Sequence, residues 1–105
     1  MSQHSYPART SDGQAVNVLM GWDRPCQCYF LIVQLQEWQE GQPSCLYSYL
    51  EEKAAFDLSL DYYVERLDRF GITAPVEVLE QVWLDAILNT GNRVVAYRED
   101  GTLLA

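Results

Sequence analysis

The chain has a single histidine, His4, and three cysteines, Cys26, Cys28 and Cys45, and these shortages close off several kinds of chemistry. His4 falls in a polar N-terminal stretch outside the expected folded region, so the commonest general base is missing. No glycine-rich phosphate loop and no G-x-S-x-G motif occurs. An odd cysteine count, with no n-region, h-region and cleavage site at the start, points away from export and from a disulfide framework. A reduced cytoplasm is the expected location. Basic residues are scarce: seven Lys or Arg stand against fifteen Asp or Glu, a net charge of −8. That balance argues against direct binding to nucleic-acid phosphates or to an anionic membrane, both of which would repel the chain. Long apolar runs are absent too. The longest, Cys26 to Val33 with Gln27 interrupting it, is far short of the ~18 to 20 residues that a membrane helix needs.

What remains suits one compact α+β domain: 105 residues, 49% of them apolar, are enough to bury a core without staples. Its organising stretch is Cys28-Tyr29-Phe30-Leu31-Ile32-Val33-Gln34-Leu35, apolar on both alternating faces and rich in aromatic and β-branched residues. It reads as the central strand of a sheet. Residues 1–14 carry no periodicity and are expected to form a flexible arm, leaving 15–105 as the domain. From Ala15 the pattern has period two, with Val16, Val18, Met20 and Trp22 on one side. Pro25 suits a turn, so this strand and the next should form a hairpin. Residues 36–44 read as a loop around Trp38. Cys45 to Leu50 alternates as a third strand, with one turn of helix as the alternative.

Ser59 is the expected N-cap of a helix with Leu60, Tyr63, Val64, Leu67 and Phe70 on its buried stripe, stopping at Gly71. Pro75 opens a second helix, with Val76, Leu79, Val82, Trp83, Ala86 and Ile87 on its buried face and an end near Thr90-Gly91. Asn92 to Arg98 reads as a last strand. The expected order is therefore β-β-β-α-α-β: an antiparallel sheet of about four strands with both helices on one face. A strand apolar on both faces needs cover on the second face as well, from a homodimer partner or from the Trp38 loop.

The Gly21-Trp22-Asp23-Arg24-Pro25 turn feeding an apolar strand, together with Gly91-Asn92-Arg93 opening the last one, resembles short uncharacterised bacterial proteins. The resemblance implies no function and no catalytic residue.

Four soft ligands are present in His4, Cys26, Cys28 and Cys45, the number a structural zinc site uses. C-x-C is not a usual knuckle spacing, and on an extended strand the Cα atoms of Cys26 and Cys28 lie roughly 6.5 to 7 Å apart, so bridging them would be strained. Free thiols, no metal and no cofactor are expected. The carboxylate pairs Glu51/Glu52, Asp57/Asp61 and Glu99/Asp100 lack any setting that would separate their pKa values, which argues against a hydrolase and makes a solvated surface the expectation. Asp23, Arg24, Asn92 and Arg93 are placed to meet at a sheet edge, as an Asp23–Arg93 pair pinning the hairpin or as a ligand site.

The expected function is a non-enzymatic protein-binding module, with an acidic inhibitor or nucleic-acid mimic as the alternative. Residues 37–68 hold eight carboxylates against Lys53 and Arg66, six of the eight net negative charges. Trp38, Tyr47 and Tyr49 beside Glu51, Glu52, Asp61 and Glu65 would make an aromatic anchor with an acidic rim for a basic protein partner.

Overall fold

A computed structural model describes residues 1–104. The chain forms β1 (Ser2–Arg9), β2 (Ala15–Asp23), β3 (Cys28–Leu35), β4 (Cys45–Ser48), a 3-10 turn (Tyr49–Glu51), α1 (Leu60–Arg69), α2 (Val76–Ile87) and β5 (Arg93–Ala96). The five strands make one sheet in the order β4-β3-β2-β1-β5. The β1–β5 pair is parallel and the others are antiparallel, so the sheet is mixed rather than a four-stranded antiparallel one.

The stretch expected to be an arm is the largest departure. Residues 2 to 9 form β1, which runs between β2 and β5, and Ser2, His4, Tyr6 and Ala8 are its buried side. These residues do alternate, but three of the eight strand residues are Ser, Ser and Gln, and burial of such side chains depends on partners far along the chain. Pro7 is tolerated because it lies beyond Ser5, the last β1 residue paired with β5. A proline there forfeits no ladder bond on that side. With β1 inserted, the middle position of the sheet belongs to β2, and β3 is the strand next to it.

Antiparallel register sets Tyr6 beside Val18, Val33 and Tyr47 in one row across β1 to β4, and such partners share a face. Both helices cover that face: Tyr63 and Leu67 of α1 and Val78 and Val82 of α2 join this row in the core. Burial along β2 alternates through Met20 and then changes phase, so that Gly21 and Asp23 are buried too. A Cβ on Gly21 would lie 2.0 Å from the Ser2 carbonyl oxygen. Only glycine lets β1 approach that closely.

The first helix begins as read. Ser59 accepts a hydrogen bond from the Tyr62 N–H at 3.1 Å, and Gly71 follows α1 at φ +79°, a conformation that favours glycine. Pro75 is the N-cap of α2 rather than a member of its first turn, and α2 ends at Ile87, short of Thr90. Its phase also differs from the reading: Val78, Val82 and Asp85 are buried, whereas Val76, Trp83 and Ile87 are exposed. The reason is a buried polar network that requires Asp85 to face inward.

Candidate functional site

That network joins three elements. On β1, His4 is fully buried, and its Nε2 lies 2.6 Å from Asp85 Oδ2 on α2. Its Nδ1 is 2.8 Å from the Tyr97 hydroxyl, just past β5. Arg93 of β5 donates from Nη1 to Asp85 Oδ1 and from Nη2 to Gln81 Oε1, both at 2.8 Å. These partners assign the tautomer: Nε2–H donates to the carboxylate, which leaves Nδ1 to accept from the Tyr97 O–H. Burial lowers the His4 pKa from its ordinary 6.5, against the upward pull of Asp85. His4 is therefore neutral at pH 7. Burial would raise the Asp85 pKa, but hydrogen bonds from His4, Ser2 and Arg93 outweigh it and hold the group below its ordinary 3.8. Asp85 is an anion paired with Arg93. With both ring nitrogens engaged and no exposed edge, His4 has no lone pair to offer a substrate. The arrangement works as a lock between β1, α2 and β5.

A second cluster ties the segment after β4 to α1. Glu52 accepts from the Tyr62 hydroxyl at 2.9 Å, from Arg66 Nη2 at 2.8 Å and from the Tyr47 hydroxyl at 3.1 Å. The Arg66 guanidinium also sits over the Tyr47 ring, 5.2 Å from its centroid, a favourable cation–π placement. Hydrogen bonding by Tyr62 first, then by Tyr47 and Arg66, keeps the Glu52 pKa below its ordinary 4.5 in spite of desolvation.

These contacts redistribute the expected binding residues. Tyr47 and Tyr49 are buried, Tyr49 against Phe30 with ring centroids 5.7 Å apart, so they serve the core and are not surface anchors. Trp38 alone of that aromatic set is exposed. Glu51 closes a capping box with Ser48, and Glu65 pairs with Arg69. Asp61 is exposed and has no hydrogen-bond partner or ion pair among the described residues.

The polar cluster also divides. Asp23 accepts from the Cys26 N–H at 3.3 Å, Arg24 lies against Gly91, and Asn92 accepts from the Met1 amino group at 2.9 Å. Arg93 pairs with Asp85 and not with Asp23. Cys26 and Cys45 are exposed and Cys28 is buried, where burial pushes its thiol up to about 11. Among the described residues, no three of the His, Cys, Asp and Glu side chains gather as a metal site would require.

Several surfaces remain open, and two of them carry exposed apolar side chains. The helix-free face of the sheet carries a cleft of about 540 Å³, lined among others by Ser5, Asn17, Leu19, Gln34 and Leu104. Its lining mixes aliphatic groups, amides and the Ser5 hydroxyl with the charged pair Arg98 and Glu99. Neither a helix nor the Trp38 loop lines it. The other surface is the outer side of α2. Trp83, Ile87 and Leu88 are 52%, 58% and 72% exposed, and Val76 and Leu84 are exposed beside them. Next to it, Leu60, Asp61 and Val64 of α1 face Leu79, Glu80 and Trp83 of α2 across a shallow groove of about 220 Å³. Sequence periodicity found most of these α2 residues and assigned them inward. The missing signal was Asp85, whose inward position is explained only by His4 and Arg93.

No family model, curated protein or solved structure matches the chain. Among the described residues no helix is long and apolar enough to cross a membrane.

Proposed function

We propose that the protein is a binding module that docks another protein through the outer face of α2. The observation that carries this reading is the exposed apolar stripe of Val76, Trp83, Leu84, Ile87 and Leu88 on a helix whose inner stripe is already packed. One apolar stripe per surface helix is sufficient for folding. A second one, left in water and centred on a tryptophan, fits an interface, because Trp is the residue most often found to dominate binding energy. Two exposed carboxylates line the groove beside it, Asp61 of α1 and Glu80 of α2. Such a rim speeds encounter with a basic partner more than it adds to the final affinity.

An acidic inhibitor or nucleic-acid mimic would use carboxylates that are free to meet cations. That alternative is less well supported, since Glu51, Glu52 and Glu65 already serve contacts within the chain. The test is affinity capture from the source cell with the wild-type chain and with Trp83→Lys/Ile87→Lys, whose folding is checked by circular dichroism. The reading predicts a partner retained by the wild type and lost by the folded variant. The same proteins retained by both would sink it.

A further inference from the structure

We infer that the partner segment taken up by this surface is a basic amphipathic helix, an inference that rests on the docking reading above. The groove between α1 and α2 has the apolar side chains Leu60 and Val64 on one wall and Leu79 and Trp83 on the other, each pair four residues apart. Val76 and Ile87 extend the α2 wall in both directions. This spacing accepts anchors at i, i+3, i+4 and i+7 of an incoming helix. The groove, at about 220 Å³, is smaller than the roughly 300 Å³ or more typical of small-molecule pockets, and its charged lining is two carboxylates.

Those carboxylates decide the charge of the occupant. Asp61 and Glu80 stand on opposite walls, and the α1 cations are committed elsewhere, Arg66 to Glu52 and Arg69 to Glu65. Lys or Arg flanking an apolar stripe would meet both walls, with side-chain stems lying on the apolar floor. A second copy of this chain, at a net charge of −8, would instead bring a like-charged surface to these carboxylates, which costs association energy.

The test uses the full chain with Trp22→Phe/Trp38→Phe, so that Trp83 is the sole tryptophan reporter. The probe is a synthetic Leu/Lys peptide of roughly 18 residues, long enough to form a helix, with a scrambled peptide of identical composition as control. The inference predicts a blue shift of Trp83 emission and binding on the order of tenfold tighter than the scrambled peptide. Asp61→Lys/Glu80→Lys should weaken it on the order of tenfold, while Glu37→Lys/Glu40→Lys, the same change in net charge away from the groove, should leave it within about threefold. Equal binding of the two peptides, or equal effects of the two charge reversals, would overturn the inference. So would sedimentation as a dimer with Trp83 already shielded, which would make a second copy the occupant. If the peptide fails while Trp83→Lys/Ile87→Lys still abolishes capture of a cellular partner, the docking reading stands and only the basic helix is wrong.

Discussion

At the scale of single residues, His4 carries the strongest expectation. Replacing it with Phe fills the volume but leaves an Asp85 oxygen and the Tyr97 hydroxyl buried without a partner, a change that should cost about 3 kcal/mol in urea unfolding. The pH dependence has a definite sign. His4 is held below its ordinary 6.5, so the native state favours the neutral ring. Its contribution to stability is complete above 6.5 and is lost as pH falls below that value toward the folded pKa. Asp85, held below 3.8, adds stability that persists above 3.8 and is lost at lower pH. Unfolding free energy measured across pH 3 to 8 should therefore fall in two stages on acidification, and His4→Phe should lack the upper one. A wild-type profile flat between pH 7 and 5 would contradict the assignment. None of this was legible in the sequence, because one histidine in a polar stretch carries no sign of its burial until residues some eighty positions away, such as Asp85, are brought to it.

At the scale of elements, α2 shows why periodicity recovered the helix and missed its orientation. Val76, Leu79, Val82, Trp83, Ala86 and Ile87 form an apolar arc, and Val78 with Val82 forms another. Hydrophobic spacing cannot choose between two apolar arcs; the lock through Asp85 does. For α1 the reading was sufficient, since Asp61, Glu65 and Asp68 mark its wet side and Tyr63 and Leu67 its dry one. The two helices therefore differ in a measurable way. Leu67→Ala should cost about 3 kcal/mol through lost burial and a residual cavity. Ile87→Lys/Leu88→Lys should change stability by no more than about 0.5 kcal/mol per site, as substitutions on an open surface do. Urea midpoints for the two variants check this, and a large loss in the α2 variant would show that its outer face is packed within the chain.

At the scale of the whole molecule, the α+β class and the β2–β3 hairpin follow from local pattern: two apolar runs joined by a proline turn. The mixed sheet does not. Parallel pairing of Ser2–Ser5 with Arg93–Ala96 joins the two ends of the chain, and no local propensity encodes which distant strand a short polar strand will meet. That pairing also sets the orientation of α2, because His4 of β1 and Arg93 of β5 hold Asp85 on its inner side while Trp83 lies exposed. The most direct measurement of the docking account is acrylamide quenching of Trp83 in the Trp22→Phe/Trp38→Phe chain, with and without the protein recovered by capture. The account predicts ready quenching of the free chain and marked protection in the complex. Quenching that is unchanged by a saturating partner would contradict it.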